Sequence, residues 1–277
     1  AGNDILDGGP DIDTVSYADA SAAIIVDLRE ESEQVFKGTY IDTLIGIENI
    51  IGSNFNDVIT DGIADNEITG GLGCDLFQIA QGSNTITDLH SCDVFVVEEG
   101  ATLNAIVKGE FIASPETVVV GTVRLLAGTA SSIIDMRNAS SGEFIIIGGE
   151  GNDVLAGGIL NDTLTGGEGS DVFIISSGTD YISDLNTGDS LQVSTNAVMA
   201  AVNVSNFIAD NATRNDGVAM LLSSQSGSII DMSLSEFGDY ILIGSAGVDI
   251  FTGGQGNDTL TGDASPLFKS KKFLALD

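Results

Sequence analysis

The chain has 277 residues and a net charge of −32, from 41 acidic residues against nine basic ones. That balance argues against nucleic acid and against anionic membrane surfaces as partners. No apolar run reaches the length of a membrane span, no N-terminal signal peptide is seen, and three prolines are too few for a Pro-rich stalk. Tryptophan is absent and glycine abundant at 35, which suits a thin interior of Leu, Ile and Val better than one built on large rings.

Residues 1–17 hold AGNDILD and GGPDIDTVS, one and a half units of a nine-residue pattern with Asp4 and Asp13 at the sixth position. Ala1 enters in mid-unit, so the sequence is expected to be a slice of a longer protein. Residues 23–28, AIIVDL, read as a buried strand, and 29–38, with Glu30, Glu31 and Glu33, as a solvated surface loop. IDTLIGIENIIGS at 41–53 has apolar spacing that could suit a helix, but its β-branched content favours short strands. A first block of units follows at 52–78: GSNFNDVIT, DGIADNEIT, GGLGCDLFQ. It carries Asp57 and Asp75 at sixth positions and Gly71 and Gly73 in its last turn, but Asn66 stands where the middle Asp is expected.

The pattern is clearest at 148–174, where GGEGNDVLA, GGILNDTLT and GGEGSDVFI run in tandem. Each unit opens with Gly-Gly, puts Asp153, Asp162 or Asp171 sixth and Leu155, Leu164 or Phe173 eighth; Leu160 stands where the middle unit's third Gly would be. Glycines supply backbone of positive φ and let carbonyls approach an ion. Asp adds a hard, charged oxygen of the kind Ca²⁺ prefers. In this reading one unit is half a coil, so residues 18 apart stack, and Asp153 sits over Asp171 with an ion between turns. The turn glycines are Gly149, Gly151, Gly158, Gly167 and Gly169. The phase runs on to Asp180 and Asp189, with Asp162 over Asp180 on the opposite side; the same positions in the earlier copy are Asn84 and Asp93. A third block at 244–261, GSAGVDIFT and GGQGNDTLT, adds Asp249 and Asp258 with Gly247, Gly254 and Gly256.

These units resemble the hemolysin-type (RTX) calcium-binding nonapeptide repeat of secreted bacterial proteins, G-G-x-G-x-D-x-U-x. The resemblance implies a right-handed parallel β-roll, a β-solenoid with several Ca²⁺ ions held by Asp carboxylates and turn carbonyls. It also implies folding on export into calcium-rich medium and an extracellular or cell-surface location. Block one, with Asn66, is expected to bind its ions less well than block two.

Gly52, Gly148 and Gly244 open the three blocks at intervals of 96 residues, and the interval holds between them: SSIIDM at 131–136 aligns with GSIIDM at 227–232. The expected architecture is all-β: β-roll segments in a tandem array of 96-residue modules, joined by β-rich bridging segments. A partial module spans 1–51, full modules 52–147 and 148–243, and a third partial module 244–277. In the bridges, stretches near Leu103 to Phe111 and Val198 to Ile208 could form short helices, while 118–128 and 218–232 read as strands. The tail SPLFKSKKFLALD, with Lys269, Lys271 and Lys272, breaks every pattern and could be a tail or an anchor.

Catalytic chemistry has little to draw on. The single histidine, His90, reads as a surface residue, which leaves no second imidazole for a zinc site or a Ser-His-Asp triad. The carboxylates follow the repeat rather than pairing for glycoside cleavage. The expectation is a non-enzymatic, calcium-stabilised structural protein that associates with identical or neighbouring modules: a surface-layer, sheath, filament or adhesin subunit. The alternative is an RTX module of a secreted enzyme or toxin whose active domain lies elsewhere. An ice- or carbohydrate-binding solenoid would need a persistent Thr or aromatic ladder, and Thr163 and Thr165 alternate only locally. Cys74 and Cys92, both at fifth positions, lie 18 residues apart. Stacked coils about 4.8 Å apart would allow a disulfide between them; two unpaired thiols are the other reading.

Overall fold

The computed structural model describes residues 2–29, 33–128 and 130–262. Glu30 and Glu31 of the acidic cluster, Asp263 and the tail with its lysines lie outside the described residues. Among the described residues there are thirty short strands and no helix; none could therefore cross a membrane as a helix. The chain divides into two compact units, Ala1–Thr129 with Ile133–Phe144, and Ala130–Ser132 with Ile145–Asp277.

Each unit is a parallel β-solenoid. In unit 1, Ile59 pairs in register with Phe77 and Phe77 with Phe95, a coil of 18 residues. In unit 2, Leu155 pairs with Phe173 and Phe173 with Leu191 at the same interval. Parallel strands buried on their inner side want apolar residues every second position. The strand Leu76–Ile79 does this with Phe77 and Ile79 inward, both fully buried.

The bridging segments continue the solenoid with longer coils. Leu103 pairs with Val123 and Phe111 with Ile134 in unit 1; Met199 pairs with Ala219 and Phe207 with Ile230 in unit 2. Strand starts recur at 96 residues, as with Val58 and Val154, or Thr122 and Val218. The short helices entertained at 103–111 and 198–208 are strands instead. Leu103, Ala105 and Val107 are buried at a period of two, not 3.6. In Val198–Val204 the register shifts between Ala201 and Val204, where Asn203 takes a φ of 56°. That bulge breaks the alternation and imitates helical spacing.

Two further expectations change. Residues 33–37 are not a loop: Glu33–Lys37 is a strand, antiparallel to both Ile24–Asp27 and Tyr40–Ile45. Lys37 pairs with Tyr40 across a two-residue turn in which Gly38 has a φ of 63°, the positive φ that tight hairpin turns demand. The hairpin is inserted into the first coil, so Ile5 pairs with Thr43 rather than with a residue 18 positions on. Large rings also enter the thin core. Phe77, Phe95, Phe111 and Phe144 in unit 1 and Phe173 and Phe207 in unit 2 are buried, and the Phe95 and Phe111 rings stack at 5.5 Å.

Candidate metal centre

Eight of the sixth-position aspartates are deeply buried, whereas Asp4 is exposed and Asp13, Asp249 and Asp258 are half-buried. Asp57, Asp75 and Asp93 in unit 1, and Asp153, Asp162, Asp171, Asp180 and Asp189 in unit 2, are each at most 2% exposed. For Asp57, Asp75, Asp153, Asp162 and Asp171 the opening glycine of the unit makes room for this burial. A Cβ on Gly166 would lie 2.3 Å from Asp171 Oδ2, and one on Gly70 would lie 2.4 Å from Asp75 Oδ2. In the units that open with glycine the carboxylate therefore folds back over the first residue of its own turn, where only hydrogen leaves room.

Stacking at 18 residues takes the form of a hydrogen-bond ladder. The Asp153 N–H donates to Asp171 Oδ1 at 2.8 Å, and the Asp171 N–H to Asp189 Oδ1 at 3.0 Å. On the opposite side the Asp162 N–H donates to Asp180 Oδ1 at 2.9 Å. Unit 1 repeats the first ladder from Asp57 to Asp75 to Asp93. In the last coils the Tyr240 N–H donates to Asp258 Oδ1 at 2.9 Å.

The ladder uses one oxygen of each carboxylate and leaves the other to its surroundings. Oδ2 of Asp75, Asp153, Asp171 and Asp180 is buried and receives no hydrogen bond; the same holds for Asp13 Oδ2 and for both oxygens of Asp249. Burial raises the pKa of Asp75, Asp153, Asp171, Asp180 and Asp189 above the ordinary carboxylate range, and neighbouring carboxylates add to it. Asp75 and Asp180 are pushed up to about 7. Asp189 is pushed up to about 6, and Asp153 and Asp171 move in the same direction. An unpartnered buried carboxylate oxygen costs several kcal/mol unless a proton or a cation meets it. The donor set is all oxygen, which suits Ca²⁺ rather than a transition metal. The residues thus fit calcium: the aspartates would supply charge, and the turn carbonyls, brought close by glycines of positive φ, would supply neutral ligands.

The glycine roles divide. Gly71, Gly73, Gly149, Gly151, Gly167, Gly169, Gly247 and Gly256 all have φ between 97° and 147°. Gly158 and Gly254 do not, which corrects the expectation of one conformation for all of them. The Gly158 N–H donates to Asp162 Oδ2 at 2.6 Å, and a Cβ on Gly254 would come within 3.0 Å of the Met232 carbonyl oxygen.

Several members of the site depart from the nonapeptide pattern or lie outside it. Asp88 accepts from the Gly70 and Gly71 N–H groups at 2.8 and 2.9 Å, and Asp184 accepts in the same way from Gly166 and Gly167 at 2.9 and 2.7 Å. Their shared interval, 184 − 88 = 96, was the available signal. Asp42 and Glu48 hold ladder positions opposite Asp4 and Asp13, accepting their N–H groups at 2.9 Å. The inserted hairpin hid both by breaking the spacing. Asp4 is itself mostly exposed, and its Oδ2 lies 3.3 Å from Lys37 Nζ. His90 is not a plain surface residue. Its Nδ1 lies 3.2 Å from Asp93 Oδ2 and its Nε2 3.0 Å from the Gly71 carbonyl oxygen.

Cys74 and Cys92 are joined in a disulfide, with Cα atoms 4.9 Å apart. The bridge closes an 18-residue loop between adjacent coils of unit 1. By loop-closure entropy it adds about 3 kcal/mol. Reduction should lower the urea midpoint of unit 1 and leave unit 2 unchanged. Thiol counting on the unreduced, denatured chain should give zero; two titratable thiols would remove the bridge.

A parallel solenoid whose turns present buried, donor-less carboxylates beside glycine-opened carbonyls is a calcium-binding β-roll. The RTX calcium-binding nonapeptide repeat matches the chain in four copies, at residues 1–15, 40–77, 145–182 and 241–265. The chain carries that repeat, and calcium is its cofactor. Proteins with these repeats are generally secreted bacterial proteins. Comparison with curated protein sequences finds no match.

Proposed function

We propose that the chain is a non-enzymatic, calcium-hardened structural segment of a secreted bacterial protein, placed outside the cell as part of a surface layer, sheath, filament or adhesin. The observation that carries this is where the carboxylates go. The buried sixth-position aspartates are each bonded to a neighbouring coil or turn. Their chemistry is spent on joining coils. Association with identical or neighbouring modules fits the turn tips. Ile63 is 81%, Leu72 65% and Val248 76% exposed, large apolar groups that water solvates poorly.

Light scattering of the chain in millimolar-range calcium tests the reading. Concentration-dependent assembly that reverses with chelator is the expected result. A strictly monomeric species at every calcium concentration would favour the other role, a calcium-folded module serving a secreted enzyme or toxin.

A further inference from the structure

The two units treat equivalent turns differently. In unit 2, Asp162 and Asp180 stack, and Asp180 Oδ2 has no hydrogen-bond donor. The same positions in unit 1 are Asn66 and Asn84, and the first residue of that turn is Asp61 where unit 2 has Gly157. All three are at most 4% exposed.

Every polar atom of this trio has a partner. Asn66 Oδ1 accepts the Gly62 N–H at 3.0 Å, and its Nδ2 donates to the Glu48 carbonyl oxygen at 2.6 Å. Asn84 Oδ1 accepts the Asn66 N–H at 2.9 Å, which keeps the ladder intact. Asn84 Nδ2 then donates to Asp61 Oδ2 at 2.9 Å and to the Gln81 carbonyl oxygen at 2.6 Å. Asp61 also accepts the N–H groups of Ala80 and Gln81 at 2.8 and 3.1 Å. Because both Oδ1 atoms accept backbone N–H groups, the amide orientation is fixed and the Nδ2 groups must face the carbonyls. An amide N–H₂ therefore meets a carbonyl and a carboxylate oxygen, the work a cation does among oxygens.

The first coil of unit 1 shows a second such substitution. Lys37 Nζ lies 2.5 Å from Asp42 Oδ2 and 3.3 Å from Asp4 Oδ2, and the Tyr17 hydroxyl donates to Asp42 Oδ2 at 3.1 Å. Burial pulls the Asp42 carboxyl upward, but Lys37, the Asp4 N–H and Tyr17 outweigh it and hold Asp42 below the usual range. That is the reverse of Asp153, Asp171 and Asp180.

We propose that unit 1 closes these turns with donors of its own, two asparagine amides and a lysine ammonium, and that they stay closed without calcium while the Asp162–Asp180 turn of unit 2, the counterpart of the asparagine pair, opens. The proposal rests on calcium binding at the unit 2 turns. It goes beyond weaker binding in block one: at Asn66 and Asn84 no ion is taken at all.

Hydrogen exchange on the full chain, calcium-loaded and decalcified, tests it. The Thr85 N–H, bonded to the Asn66 carbonyl, and the Thr43 N–H, bonded to the Asp4 carbonyl, should keep their protection in decalcified protein. The Tyr181 N–H, bonded to the Asp162 carbonyl, should lose at least tenfold. Equal loss in both units overturns this proposal alone. Retention in both units overturns it together with the calcium reading beneath it. A triple variant, Asp61→Gly, Asn66→Asp and Asn84→Asp, recreates the unit 2 pattern. It should bind one more ion by calorimetry and lose Thr85 protection on decalcification. An unchanged ion count with Thr85 still protected would show that the amides are not what keeps calcium out.

Discussion

Removing calcium from the loaded protein should abolish most of the β-sheet signal contributed by unit 2. Four of its aspartates, Asp153, Asp171, Asp180 and Asp249, bring carboxylate oxygens into the turns with no hydrogen-bond donor. Without a cation these charges repel and remain desolvated. Calcium at about ten times its dissociation constant contributes roughly 1.4 kcal/mol per ion by mass action. Two to four such ions give about 3–6 kcal/mol, comparable with the whole net stability of a domain, ~5–15 kcal/mol. Binding free energy here is folding free energy. Circular dichroism during chelator titration should show a cooperative loss with a midpoint at about 10⁻⁴–10⁻³ M free calcium, the range of extracellular calcium modules. A spectrum unchanged at full removal would mean that the turns are held by something other than the ion.

How much of this was legible beforehand depended on which rule each residue obeys. The sixth-position aspartates and their partners 18 residues on could be read because one unit is half a coil and the sequence repeats it without insertion from Asp153 to Asp189. The all-β solenoid followed from the same spacing. What escaped were residues placed by topology rather than by the unit. Asp42 and Glu48 reach their ladder positions only because an antiparallel hairpin is inserted ahead of them. The hairpin looked like a loop because its charged residues masked a Gly38 turn. The strand at 198–204 imitated a helix through the bulge at Asn203. Asn66 and Asn84 were visible as departures from the pattern. Their consequence was not, because it depends on Asp61 occupying the first position, which the repeat reserves for glycine. Asp88 and Asp184 stand at the first position of their units, where the repeat has glycine, and cap N–H groups of the coil 18 residues earlier.

Acidity should act in opposite directions on the calcium-free and calcium-loaded chain. Folding raises the pKa of Asp75 and Asp180 from an ordinary value of 3.8 to about 7, and that of Asp189 to about 6, chiefly through burial. Between about pH 4 and 7 the folded chain therefore holds more protons than the unfolded one. Stability without calcium must then rise as the pH falls through this window and be lost as it climbs back. The charge of −32 pushes the same way, since protonation relieves general repulsion. Calcium needs the ionised carboxylates, so in its presence protons compete and stability should instead grow from pH 5 to 7. Urea midpoints of resin-decalcified and calcium-loaded protein at pH 5 and 8 should cross. To separate the buried aspartates from general charge, Asp180→Asn removes one titrating group while changing the net charge by one unit. That variant should lose a visible part of the acid stabilisation, more than the exposed control Asp19→Asn, which changes the net charge by the same amount. Parallel pH curves for the loaded and decalcified protein would contradict the assignment of these carboxylates to calcium.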